Sequence, residues 1–320
     1  MSFDVAIVQA AAVPFDVDAS LSKAAGLVAE AGRRGVKIVV FGETWLTGYP
    51  AWIDSWPRLG FWDDPQVKAL HARFRRAAVT VPGPHAAALS AMAAEHGVVL
   101  VMGVNERVDG GPGHGTLYNT LLVFDADGRL CVHHRKLVPT HTERLVWGPG
   151  DAHGLRVAST AAGRVGGLVC WEHWMPLARQ ALHEQDELCH VAMWPTHKAT
   201  AQLASRHYAF EGRCFVLAAA GLLHRDALPA ALADALEGVD QSGWLLRGGS
   251  AVAGPDGEWI VAPVFDREQL LVASIDPQRR DEEAMALDVT GHYSRPDLLT
   301  LDVRPGPPRT PLPGWEEPGD

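Results

Sequence analysis

The chain has 320 residues and a formal net charge of -10, an acidic balance that argues against sequence-independent nucleic-acid binding, which rests on lysine and arginine neutralising phosphates. With 47% apolar residues and a mean hydropathy of -0.01, the composition is that of a globular protein rather than a disordered or membrane one. The longest apolar run, Cys214 to Leu223, is too short to cross a bilayer.

Strand-like and helix-like segments alternate from the N-terminus, which carries no basic region of the kind that opens a signal peptide. Phe3 to Ala10 reads as a buried strand. Asp18 is a candidate N-cap for a helix whose Leu21, Ala24, Ala25, Val28 and Ala31 share one face, and Gly35 can end it. Val36 to Phe41 reads as a second buried strand, followed by helices near Pro65 to Ala78 and Gly83 to Glu95. Val98 to Val104 and Leu117 to Phe124 return to strand, and Asp127-Gly128 turns the chain into Leu130 to His134.

The second half repeats the rhythm. Val165 to Trp171 is a predicted strand, Pro176 to Glu187 a helix, Leu188 to Trp194 a strand, Thr200 to Arg213 a helix and Phe215 to Leu223 a strand. His224 to Arg247 reads as an insertion or long loop, and Asp256-Gly257 as a second hairpin turn within Ser250 to Ile275. Residues 1–303 form one expected domain of mixed sheets covered by helices, and 304–320 a Pro/Gly-rich tail. Cys131, Cys170, Cys189 and Cys214 stand far apart without CxxC spacing, so free thiols and a cytoplasmic location are expected.

Three polar segments, each just after a strand, stand out. Cys170 ends the run Gly166-Gly167-Leu168-Val169 and is followed by Trp171-Glu172-His173-Trp174. Alone it reads as a buried structural thiol. The carboxyl end of a strand, however, is where α/β folds place ligands. Glu43 follows VKIVVF after a single glycine, so partial burial would raise its pKa toward the range of a base working near neutrality. Lys136 ends the hairpin strand and can serve as a fixed cation.

These segments, FGETWLTGYP, HRKLVPTHTERLVWGPGD and GGLVCWEHWMPLAR, resemble the three signature motifs of the nitrilase family, in the family's order. Further matching stretches extend the resemblance over about residues 3 to 300. It implies a four-layer αββα sandwich, with Cys170 as nucleophile, Glu43 as general base and Lys136 as the cation beside developing negative charge. Glu143 matches a second glutamate that positions substrate and Lys136, and the backbone N–H of Trp171 completes the anion-stabilising site. Trp171, His173, Tyr49 and Trp194 are the expected substrate contacts. The chain departs from the family at Gly42 and Thr47, where proline is common, and at His173, where several branches carry asparagine.

The resemblance implies hydrolysis of an organic nitrile to an acid and ammonia, without a metal or organic cofactor. It further implies homo-oligomers, dimers or longer spirals. An amidase or carbamoylase is the nearest alternative, since amides reach the same thioester, and cyanide is an alternative nitrile. A metal hydrolase is disfavoured: there is no HExxH, His183-Glu184-Gln185-Asp186-Glu187 reads as a charged helix face, and His133 and His134 face opposite ways on a strand. A non-catalytic scaffold would be expected to lack one of the four catalytic groups; all are present. Of eleven tryptophans, Trp45, Trp52, Trp56, Trp62, Trp171, Trp174 and Trp194 lie in or near the motifs, as core or as walls of a pocket for a bulky nitrile.

Overall fold

In the computed structural model, which describes residues 1–306, the chain runs β1 (Phe3–Gln9), α1 (Val17–Arg33), β2 (Ile38–Val40), α2 (Pro65–Arg76), α3 (Pro84–His96), β3 (Val99–Arg107), β4 (Leu117–Phe124) and β5 (Leu130–Arg135). It continues through β6 (Ala158–Thr160), β7 (Gly163–Val169), α4 (Pro176–His183), β8 (Cys189–Trp194), α5 (Ala199–Gly212), β9 (Phe215–Ala220) and β10 (Leu222–His224). The last elements are α6 (Ala230–Ala233), β11 (Trp244–Ala253), β12 (Trp259–Phe265), β13 (Gln269–Ile275) and α7 (Gln278–Ala284).

Two sheets result. The first has the order β13-β1-β2-β3-β4-β5; the second runs β10-β11-β9-β8-β7-β6, with β12 on β11. β1, β2 and β3 are parallel, as are β7, β8 and β9. The hairpin partners β4 and β5 are antiparallel, and β13 returns antiparallel to β1.

Side-chain alternation along β1 explains the layering. Val5 and Ile7 join Val165, Leu168 and Val191 of the second sheet in the inter-sheet core, whereas Ala6 and Val8 pack with Ala24 and Val28 of α1 and Leu89 of α3. The outer face of the second sheet is covered by Ala178 and Leu182 of α4 and Ala204 and Tyr208 of α5. The architecture is therefore the expected four-layer αββα sandwich. Truncating a fully buried side chain such as Leu89 or Leu168 to alanine costs roughly 2–5 kcal/mol in such cores.

Several sequence-based boundaries shift. Asp16, not Asp18, caps α1, its carboxylate accepting from the Ala19 amide at 2.9 Å. The strand expected through Trp171 stops at Val169, because Cys170 adopts φ 56 and opens a turn of 3-10 helix. Likewise α4 ends at His183, so the stretch read as a charged helix face is not one: His183 and Glu187 are buried. His224 to Arg247, read as an insertion or long loop, holds regular structure. It finishes β10, contains α6, begins β11, and buries Leu228, Leu232 and Leu236 against a cluster with Trp52, Trp56 and Phe74. Of the expected tail, 307–320 lie outside the described residues.

Candidate active site

Glu43, Lys136 and Cys170 follow the last residues of β2, β5 and β7, and the packed sheets bring these strand ends together. The Cys170 sulfur and a carboxylate oxygen from each of Glu43 and Glu143 all lie within 4.8 Å of one another. Lys136 Nζ sits among them, donating to Glu143 Oε2 at 2.7 Å, Glu143 Oε1 at 2.9 Å and Glu43 Oε1 at 3.2 Å. All four groups are buried. The ammonium thus bridges the two carboxylates.

The Glu43 turn is tightly fitted. Thr44 is left-handed at φ 46, and Gly103 in β3 makes room for it: a Cβ there would lie 2.2 Å from Gly42 O and 2.6 Å from Thr44 N. Burial, opposed by Lys136 and reinforced by Glu143, pushes the Glu43 carboxyl up to about 7. Its Oε1 also accepts from Asn119 Nδ2 at 2.6 Å, while Oε2 has no hydrogen-bond partner among the described residues. A carboxylate with one anchored and one unengaged oxygen is suited to take and return a proton.

The Cys170 thiol is held well above its usual range, chiefly by burial, with Lys136 opposing and Glu43 and Glu143 reinforcing. The resting thiol is therefore protonated and needs a base to become a nucleophile. The Trp171 backbone N–H bonds to the sulfur. Lys136 would be lowered by burial, but Glu43, Cys170 and Glu143 more than reverse this and keep it charged. Glu143 is fixed in turn by Tyr49, whose hydroxyl donates to Oε1 at 2.8 Å, and by the Thr140 amide, which donates to Oε2 at 2.7 Å.

The nominated substrate contacts divide. Tyr49 lines a small pocket with Glu43, Trp45, Leu222, Leu223 and Leu246. The Trp171 side chain is 55% exposed. His173 and Trp194 stack on each other away from solvent, and both ring nitrogens of His173 are engaged by protein: Nδ1 lies 2.7 Å from Cys170 O and Nε2 2.9 Å from His190 Nε2. His173 therefore has no free polar atom to offer a ligand. Of the other tryptophans, Trp45 reaches the pocket, Trp52 and Trp56 are core, and Trp62 is exposed.

Two residues were not singled out from sequence. Asn119 lies in the apolar strand β4 and carries no local signal. Glu172 joins the two sheets: its oxygens accept from Leu137 N and Val169 N, each at 2.7 Å, with His134 Nε2 2.9 Å from Oε2. One carboxylate thereby ties the Lys136 strand end to the Cys170 strand end. His133 turns the other way, to Glu106, as alternation requires.

The family model for carbon-nitrogen hydrolase matches residues 4–283. The chain belongs to the carbon-nitrogen hydrolase family. Among its relatives in this family it is similar to Nitrilase 2 of an unknown prokaryotic organism, 42% identical over 301 residues that make up 93% of this chain and 91% of that one. An aliphatic nitrilase of Sinorhizobium fredii is 38% identical over 94% of this chain and 95% of that one. The same fold occurs in a carbon-nitrogen hydrolase from Helicobacter pylori, with a TM-score of 0.69 and 21% identity over 93% of this chain and 97% of that one. This carbon-nitrogen hydrolase has no helix, among its described residues, long and apolar enough to span a membrane.

Proposed function

We propose that the chain hydrolyses an organic nitrile to the carboxylic acid and ammonia through covalent intermediates on Cys170. The observation that carries this reading is the meeting of Cys170, Lys136, Glu43 and Glu143 in one buried cluster, in a chain whose named relatives are nitrilases.

Glu43 takes the thiol proton as sulfur attacks the nitrile carbon. The proton passes to nitrogen, giving a thioimidate, while the Lys136 ammonium and the Trp171 amide stabilise charge developing there. Glu43 then deprotonates a water that adds to the same carbon. The tetrahedral adduct collapses with loss of ammonia and leaves a thioester. A second water, activated in the same way, releases the acid and restores the thiol. Two waters are consumed per nitrile, and every proton moved begins or ends on Glu43.

Association of copies is supported by large apolar side chains left in solvent around α4 and α5: Trp171, Trp174, Leu177, Leu203 and Phe210. The four cysteines are free and buried, which suits a reducing cytoplasm. Trp45 and the leucines beside Glu43 give the pocket an apolar wall suited to a carbon-bearing nitrile.

The test is a panel of nitriles paired with their amides, with ammonia and acid measured. The reading expects nitrile turnover by the wild type and none by Cys170→Ala. Turnover of amides alone would assign the same site to an amidase, and activity surviving in Cys170→Ala would remove the covalent route.

A further inference from the structure

Behind the nucleophile runs a buried line of polar groups that the chemistry above does not use. Cys170 O lies 2.7 Å from His173 Nδ1, His173 Nε2 lies 2.9 Å from His190 Nε2, and His190 Nδ1 lies 2.9 Å from Glu187 Oε1. Tyr208 closes the line at 2.5 Å from Glu187 Oε2. None of these side chains is more than 2% exposed.

Counting protons along the line fixes its state. A carbonyl oxygen only accepts, so His173 must carry hydrogen on Nδ1. A neutral His173 then presents a lone pair at Nε2, which obliges His190 to donate from its own Nε2. A neutral His190 in turn presents a lone pair at Nδ1, and only a protonated Glu187 can donate to it. The line therefore holds one proton beyond those of two neutral imidazoles and a carboxylate. Burial pushes Glu187 up to about 7, and burial drives both His173 and His190 well below the usual histidine range. The extra proton accordingly resides on the carboxyl.

The far end of the line matters because Cys170 is strained. Its φ of 56 is left-handed, a conformation that costs a non-glycine residue free energy and persists only where its surroundings enforce it. The bond to Cys170 O is one such constraint.

We propose that protonated Glu187 is a positioning residue for the nucleophile: it sets the tautomers of His190 and His173, and through them holds the Cys170 carbonyl and the turn that aims the sulfur. The proposal rests on the assignment of Cys170 as nucleophile. Loss of the Glu187 proton leaves two lone pairs facing each other somewhere along the line, and the turn loses its brace. The groups facing Glu187 are His190 and Cys189 on β8, Tyr208 on α5, Cys214 beyond it, His183 on α4 and Arg280 on α7. On β7, a Cβ at Gly166 would lie 2.0 Å from Glu187 Oε1, so the carboxyl fills the space which that glycine leaves.

The experiment compares wild type, Glu187→Gln and Glu187→Ala from pH 5.5 to 9, reading kcat, KM and the rate of Cys170 alkylation by iodoacetamide. Glutamine is a permanent copy of the protonated acid: its amide can donate to His190 while its carbonyl accepts from Tyr208. It is expected to keep kcat within about twofold of wild type near pH 6.5 and to lack the alkaline fall in kcat expected of wild type above about 7. Alanine is expected to lower kcat by about tenfold or more, with KM little changed, because the line loses its last donor. If Glu187→Ala does not fold, the pH profile of Glu187→Gln decides alone. A folded Glu187→Gln as impaired as alanine, or one keeping the wild-type alkaline limb, overturns the proposal. If wild type turns over no nitrile, the proposed reaction fails instead. The alkylation rates, read at each pH as the ratio of Glu187→Gln to wild type and expected to rise above about 7 as the wild-type brace is lost, still test the brace.

Discussion

Lys136 and Glu143 form a buried pair across the turn after β5, with the ammonium 2.7 and 2.9 Å from the two carboxylate oxygens. They lie seven positions apart, and the fold brings the Tyr49 hydroxyl onto Oε1 of the same carboxylate. The pair fixes the ammonium that faces both Glu43 and the sulfur. Removing one partner of a buried pair leaves an uncompensated charge, at a cost of about 3–5 kcal/mol. Lys136→Met is therefore expected to lower the thermal midpoint. It should also lower kcat by two orders of magnitude or more, since removing one such charge-stabilising donor typically costs about 3–4 kcal/mol of barrier. Melting curves and initial rates check both effects; a variant with wild-type kcat would exclude Lys136 from the chemistry.

Burial pushes the Glu43 carboxyl up to about 7, and in the proposed reaction it must be ionised to accept the thiol proton. Activity should therefore fall as pH drops below about 7. Glu143 raises Glu43 by like-charge repulsion, so Glu143→Gln should move that acid limb to lower pH while it reduces kcat. A pH–rate profile decides; an acid limb that stays or rises in Glu143→Gln would contradict the arrangement.

Asn119 stabilises ionised Glu43 through its 2.6 Å bond to Oε1. Asn119→Leu, which keeps the volume and removes the donor, should shift the acid limb to higher pH. It should also slow turnover by about tenfold or more, since hydrogen bonds to charged groups contribute about 1.5–3 kcal/mol. The same profile measures it.

Glu172 is held below the usual carboxylate range: its burial opposes this, but His134 and the amides of Leu137 and Val169 outweigh burial. A depressed folded-state pKa adds stability above the unfolded value near 4.5 and loses it as pH falls through the lower folded value. Glu172→Gln should therefore be less stable than wild type at pH 7, with a gap that narrows in acid. Urea unfolding at pH 7 and pH 3.5 tests this, and a gap that widened in acid would refute it.

Much of this was legible before any coordinates. Strands followed closely by Glu43, Lys136 and Cys170 pointed to residues at strand ends, and packed sheets bring such ends together. What sequence could not carry was non-local. Asn119 becomes a partner of Glu43 only through the β3–β4–β5 register, and Glu172 only because two sheets meet. His173 sat in a motif and invited a substrate role; its neighbour His190 lies on β8, a strand away, and fixes it elsewhere. Glu187 looked like a solvated charge because helix periodicity was extended past His183, where the helix in fact ends. The segment 224–247 read as an insertion or long loop because its leucines pack on Trp52 and Trp56, which lie far away in sequence.

Intact-protein and peptide mass spectrometry of the wild type, quenched during incubation with a nitrile it turns over slowly, measures the central event directly. The expected result is a single thioimidate or acyl adduct on Cys170, with Cys131, Cys189 and Cys214 unmodified. Product formation with no adduct on Cys170, or an adduct on another cysteine, would contradict the account.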